Sequence, residues 1–278
     1  MQRIAVGVEY DGSGFSGWQS QRELATVQEQ VEAALSAVAD SPVQIVGAGR
    51  TDAGVHARCQ VAHFDVGVQR SPRSWVLGAN TQLPAGIALR WAQPVPEHFH
   101  ARYSALSRTY RYCILNRWTR AGLATGRVAF VHRPLTIEPM QRAAALLVGE
   151  HDFSAFRAAE CQARSPVRRL YALRLARIGE YIVLEVRANA FLHHMVRNIA
   201  GLLISIGQGD HEAAWAQEVL ASRDRRCSAA TAPAGGLYFW SAQYPSVFGL
   251  PDDSDMMPTP AGCPGDLLDS SGYTHVVV

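Results

Sequence analysis

The chain contains no lysine, so all 26 of its basic residues are arginine. That absence excludes a Walker lysine on a nucleotide phosphate, and a Schiff-base lysine for pyridoxal phosphate or an aldolase. Cysteine is sparse: Cys59, Cys113, Cys161, Cys227 and Cys263 are scattered singly, without a Cys-x-x-Cys pair. Neither a disulfide framework nor a structural zinc site is expected from that pattern. No run approaches the ~20 consecutive apolar residues that cross a bilayer. The N-terminal Met1-Gln2-Arg3-Ile4 leads straight into a strand-like pattern instead of a signal peptide. No membrane association is expected, and the cytoplasm is the expected compartment.

What is present is ample apolar material. Of 278 residues 48% are hydrophobic and 18% charged, enough to bury a proper core in two lobes or in one large α/β unit. The net charge of +2 hides an asymmetry, because the last 28 residues hold five aspartates (Asp252, Asp253, Asp255, Asp266 and Asp269) and no basic residue. The remainder therefore carries +7, a basic body suited to a polyanion.

Periodicity orders the elements. Ile4, Val6, Val8 and Tyr10 alternate as a strand with one buried face, followed by the turn Asp11-Gly12-Ser13-Gly14. Thr26-x-x-Glu29 has the form of a capping box, and Val27, Val31, Leu35 and Val38 follow at helical spacing. Strand-like segments at 43–46 and 61–64, a helix at 74–80 and a strand at 87–91 complete a first lobe. The proline-bearing stretch at 91–97 places the boundary close after it, giving lobes at 1–104 and 105–249. In the second lobe the same kinds of element recur: strands at 109–115, 170–178, 181–188 and 237–242, with helices at 136–148 and 192–206. Residues 250–278, rich in Pro, Gly, Asp and Ser, have the composition of a disordered acidic tail.

The chemistry-bearing segment is Gly49-Arg50-Thr51-Asp52-Ala53-Gly54-Val55-His56-Ala57. Its glycines let backbone approach closely on both sides of a carboxylate. By itself such an aspartate is more often an Asx-turn or cap residue than a catalyst, so the loop alone leaves both readings open. A phosphate loop is disfavoured, since Gly47, Gly49 and Gly54 do not follow Gly-x-Gly-x-x-Gly and no lysine is available. The adjacent His193 and His194 are expected to point about 100° apart on a helix, which does not suit one shared metal ion.

The loop resembles the catalytic loop of the TruA family of tRNA pseudouridine synthases. The segments Glu9-Tyr10-Asp11-Gly12, Gly17-Trp18-Gln19, Phe99-His100-Ala101-Arg102-Tyr103, Arg108-Thr109-Tyr110-Arg111-Tyr112 and Phe191 to Asn198 agree with that family in order and approximate spacing. The likeness runs from about Arg3 to Pro245. It implies an α/β (α+β) fold of two similar lobes, with antiparallel sheets joined centrally, helices outside and a catalytic cleft between lobes. It implies Asp52 as the nucleophile, Tyr110 stacked on the target uracil, and Arg197 as the cation that keeps such a carboxylate ionised. It further implies RNA contacts at Arg50, Arg70, Trp118 and Val131, and along Phe99, His100, Ala101, Arg102 and Tyr103. A second RNA-contacting segment is Glu160, Cys161, Gln162, Ala163 and Arg164.

The implied substrate is uridine at positions 38 to 40 of the tRNA anticodon stem-loop, modified by a homodimer that uses no cofactor and no metal. The seven arginines between Phe99 and Arg133, a stretch without one acidic residue, join Arg157, Arg164, Arg168 and Arg169 as candidates to line an RNA groove. The rival reading is a non-catalytic arginine-rich RNA-binding protein on the same scaffold. A nucleotide-dependent enzyme is a weaker third.

Overall fold

The computed structural model describes residues 1–251. The expected acidic tail lies outside the described residues from Asp252 onward.

The chain divides into two compact units, one formed by Met1–Thr109 with the strand from Tyr238, the other by Tyr110–Leu237. Each is mixed α/β with a mainly antiparallel sheet, in agreement with the expected fold class. In the first unit, β1 (Gln2–Tyr10) pairs antiparallel with β3 (His56–Val66) on one side and with β4 (Ile87–Val95) on the other. A short β2 (Val46–Gly47) also pairs with β3. The last strand, β10 (Leu237–Gln243), lies parallel to β3, with Tyr238 opposite His56. This strand follows the second unit in sequence but clusters with the first.

Helices α1 (Val27–Ala39) and α2 (Pro72–Asn80) pack on each other, and α2 packs on β4. Ser71 starts α2 by accepting a hydrogen bond from the Ser74 amide, with Pro72 at the first helical position where no amide donor is missed. The Thr26 capping box forms only in part. Thr26 is the N-cap of α1, but its side chain makes no capping bond to the helix, while Glu29 reaches back to the Thr26 backbone and also accepts from the Ser20 hydroxyl at 2.7 Å.

Two expectations change here for physical reasons. Strand β1 is buried on both faces between Ile4 and Val8, because Ala5 and Gly7, too small to signal burial in an alternating pattern, also lie inside. Strand β4 continues through Pro94 to Val95, so the proline stretch is not yet a linker. It stands at the end of the strand order, where a missing amide donor leaves no ladder bond unmade.

In the second unit the strand order is β5 (Ser107–Asn116), β9 (Tyr181–Ala188), β8 (Val167–Ile178) and β7 (Gly149–Asp152), with β6 (Ala129–Val131) parallel to β5. Helices α3 (Ile137–Ala145) and α4 (Met195–Gly207) pack together, α3 rests on β8, and α5 (Trp215–Ser222) packs on α3. Buried Leu170, Leu173 and Leu175 from β8, Val183 and Val186 from β9, and Ile199, Leu202 and Leu203 from α4 make the core.

Candidate active-site loop and RNA-facing segments

The Asp52 loop connects β2 to β3, and other segments of the first unit grip it from several sides. The Trp18 amide donates to the Thr51 carbonyl at 3.1 Å, and the Gly54 amide donates to the Phe15 carbonyl at 3.3 Å. The Tyr10 hydroxyl shares a 2.7 Å hydrogen bond with the Thr51 hydroxyl, and burial holds the Tyr10 phenol well above its ordinary pKa, so it stays protonated. Farther out, the Gln60 side-chain amide donates to the Gly49 carbonyl at 2.7 Å, and the Arg108 guanidinium donates to the Ala48 carbonyl at 3.2 Å. Within the loop the Val55 amide closes back on the Asp52 carbonyl at 3.1 Å.

Two glycines make this grip possible. At Gly12 a β-carbon would lie 1.9 Å from the Val55 carbonyl oxygen, and the Gly12 amide donates to His56 Nδ1 at 3.0 Å. Gly17 has φ +94°, and a β-carbon there would stand 2.6 Å from the Thr51 carbonyl oxygen. The consequence is local. Thr51, Val55 and His56 are buried, while Asp52 is half-buried and Arg50 and Ala53 are exposed. The loop thus has a fixed underside, with the half-buried Asp52 between buried Thr51 and exposed Ala53.

Histidines hold the segment from Phe99 to Tyr103. His63 Nδ1 accepts from the Ala101 amide at 3.2 Å, and His100 Nδ1 accepts from the amides of Arg102 and Tyr103 at 3.1 and 3.2 Å. The Arg3 guanidinium donates to the Phe99 carbonyl at 2.8 Å and pairs with Asp65. Phe99 and Ala101 are fully buried, Phe99 against Tyr244 and Phe248, while Arg102 and Tyr103 face solvent. Of this segment, Arg102 and Tyr103 are the exposed members, and the buried Phe99 and Ala101 anchor them.

Burial, reinforced by the charges of His100 and Arg3, pulls the His63 pKa down from 6.5 to about 4. A histidine lowered in the folded state binds its proton more readily when unfolded. Stability is therefore full above about pH 6.5 and falls as the pH drops toward 4, by about 2 kcal/mol from this residue. Melting temperature measured from pH 7 to 4.5 should fall more steeply for the wild type than for His63→Gln. Parallel curves would contradict that role.

In the second unit, Tyr110 is buried with its ring edge-on to Phe191, centroids 4.9 Å apart. Arg197 lies in the first turn of α4, its Nε donating to the Ala232 carbonyl at 2.9 Å while its carbonyl accepts from the Ala232 amide. A guanidinium at the positive end of a helix favours an anion. Helix α4 begins only at Met195: His194 is its N-cap with φ 61°, and His193 precedes it, their rings 4.1 Å apart. The expectation that these two histidines are separated by a helical 100° therefore does not hold, since neither is inside the helix.

The arginine-rich stretch is less open than its sequence implies. Arg111 pairs with Glu185 at 2.9 Å, Arg117 with Glu180 at 3.0 Å and Arg133 with Asp210 at 2.9 Å, while Arg108 is spent on backbone carbonyls. Arg157 turns inward and donates to the Cys161 and Ala163 carbonyls, holding the segment that carries exposed Glu160, Gln162 and Arg164. Arg102 and Arg120 are exposed, as are Arg70 and Trp118, whereas Val131 is buried at the end of β6.

Comparison with known proteins matches a family model described as tRNA pseudouridine synthase over residues 7–104 and 143–245. The chain belongs to this family of RNA-modifying isomerases. It is 54% identical over 259 residues to the tRNA pseudouridine synthase A of Methylococcus capsulatus, covering 93% of this chain and 96% of that one. It is 55% identical over 249 residues to the protein of the same name from Nitrosococcus oceani, covering 90% and 96%. Among solved structures, a Cbf5-Nop10-Gar1 complex matches 72% of this chain and 45% of its own with TM-score 0.34 and 11% identity.

Proposed function

We propose that this protein converts uridine to pseudouridine at positions 38 to 40 of the tRNA anticodon stem-loop, in the cytoplasm and as a homodimer. The carrying observation is the Asp52 loop, whose underside is fixed by the very segments, Glu9 to Gly12 and Gly17 to Gln19, that accompany it in the resemblance. In this reading the Asp52 carboxylate is the nucleophile. Asp52 bonds transiently to the uridine as the C1′–N1 glycosidic bond breaks, the uracil turns, and the Asp52 bond is released as a C1′–C5 bond forms; C5 gives up its proton and N1 gains one. Atoms and oxidation state are conserved, so the conversion calls for no redox cofactor and no co-substrate.

Tyr110 stacks on the uracil, and Arg197 keeps the Asp52 carboxylate ionised and oriented. A paired uridine must be turned out to be reached, at a cost of a few kcal/mol, and Arg50 takes the vacated space. Quantifying pseudouridine among the nucleosides of unmodified tRNA after incubation with purified protein tests the reading, and no product at enzyme excess would reject it.

Holding the phosphates and holding the base are separable. If exposed Arg102 neutralises a phosphate, Arg102→Gln should flatten the log–log salt dependence of tRNA affinity by about 0.7 to 0.9. Tyr110→Leu should leave that slope alone and cut turnover, because stacking releases no counterion. Binding isotherms across a salt series decide it; a Tyr110→Leu slope that falls as far as that of Arg102→Gln would contradict the division.

A further inference from the structure

We propose that Tyr171, flanked by Arg169 and Arg187, is a platform on which an unpaired base of the bound tRNA stacks, with the two guanidiniums reaching the adjoining phosphates. This rests on the tRNA-modifying reading above and adds a binding site to it. At the start of β8 the buried Leu170 points into the core, while Val167, Arg169 and Tyr171 face outward. The β8–β9 register slips between Leu170 and Ala172, leaving Tyr171 as the extra residue without a partner on β9. Such a bulge re-aims the side chain it carries. Here it leaves a tyrosine 41% exposed on a sheet surface.

The guanidinium carbons of Arg169 and Arg187 stand 6.0 and 5.9 Å from the tyrosine ring centre. That is the outer limit of a cation–π contact, so the ring only loosely retains them. The neighbouring cations are accounted for differently. Arg111 is paired with Glu185, Arg174 stands opposite Glu185 in register, and Arg168 donates to the Ser165 and Val167 carbonyls. Glu150 lies across from Arg169 on β7, yet among the described residues neither Arg169 nor Arg187 forms an ion pair with a carboxylate.

The ring is partly exposed, and neither flanking guanidinium is held by a carboxylate among the described residues. The arrangement matches single-stranded RNA, where base stacking on an aromatic and arginine contact with phosphate act together. Tyr171 follows the segment Glu160–Arg164 by seven residues in sequence, and Arg187 lies four residues before Phe191, the ring against Tyr110. The platform lies at one end of β8 and β9 and would add to the RNA contacts proposed for the second unit.

The test is tRNA affinity across a salt series for wild type, Tyr171→Leu, Tyr171→Phe, Arg169→Gln and Arg187→Gln, with melting temperature confirming that each exposed substitution leaves the fold intact. Tyr171→Leu should weaken binding on the order of tenfold without altering the salt slope, and Tyr171→Phe should bind like wild type. Each arginine variant should flatten the slope by about 0.7. Wild-type affinity in Tyr171→Leu, or a Tyr171→Phe loss as large as that of Tyr171→Leu, would overturn the platform. Pseudouridine assayed on the same samples separates the two claims: an active wild type with an unaffected Tyr171→Leu rejects the platform alone. An inactive wild type whose affinity still depends on Tyr171 rejects the catalytic reading alone.

Discussion

Replacing Asp52 by asparagine is expected to lower pseudouridine formation by at least about a thousandfold while tRNA affinity stays within about threefold of wild type. The substitution is nearly isosteric and removes only the anionic oxygen that the proposed mechanism uses as its nucleophile. The loop is held at several points other than the side chain being changed: the Thr51 carbonyl and hydroxyl, the Gly54 amide and the Gly49 carbonyl. The variant should therefore fold and bind. Single-turnover kinetics at saturating enzyme would read the chemical step alone, and a rate within about tenfold of wild type would remove Asp52 from the mechanism.

A second large effect is expected from Gly12→Ala, a change remote from the carboxylate in sequence. The added methyl would lie 1.9 Å from the Val55 carbonyl oxygen, a backbone atom that cannot swing aside as a side-chain tip can. Either the loop or the turn at Gly12 must move, at about 1 to 3 kcal/mol of stability, with the Gly12–His56 hydrogen bond stretched in the process. A displacement on the order of 1 Å at a reacting group costs about a hundredfold in rate. Turnover of Gly12→Ala should fall by about that factor. Gly14→Ala is the control, since a β-carbon there meets nothing within 4 Å. Equal activity in the two variants, both near wild type, would mean that the grip on the loop does not position Asp52.

Much of the fold was legible because its longer elements repeat apolar residues at the period of the structure they adopt. Strand β9 runs over the expected 181–188, and α1, α2, α3 and β8 differ only at their ends. The short β6 and β7 offered three and four residues, too few for any period to register. Helix α5 escaped notice although Ala216, Val219 and Leu220 fall at helical spacing and are buried, a signal that was available. The proline in β4 read as a breaker because strand order, and hence which strand is an edge, is a tertiary fact.

The candidate site was legible in part for the same reason. Glycines around Asp52 mark a close backbone approach, but the partner of that approach, the Gly12 and Gly17 turns, lies tens of residues away and only folding brings it near. The arginine stretch misled in the opposite direction. It contains no acid of its own, yet Glu180, Glu185 and Asp210 arrive from distant strands and loops to neutralise Arg117, Arg111 and Arg133. Counting charge along a chain overestimates the cation available to a polyanion wherever the sheet imports its counter-charges. Arg169 was among the arginines the sequence offered for an RNA groove, but Tyr171 and Arg187 carried no such mark, since their significance depends on a bulge that presents Tyr171 between the two arginines.

Position-resolved mapping of pseudouridine tests the central claim most directly. Unmodified tRNA with uridine at positions 38, 39 and 40, and the same tRNA with cytidine there, would each be incubated with wild-type protein and with Asp52→Asn. The account predicts pseudouridine at those positions with wild type, none with Asp52→Asn, and none anywhere in the cytidine-substituted tRNA. Pseudouridine formed equally by Asp52→Asn, or formed only outside the anticodon stem-loop, would contradict it.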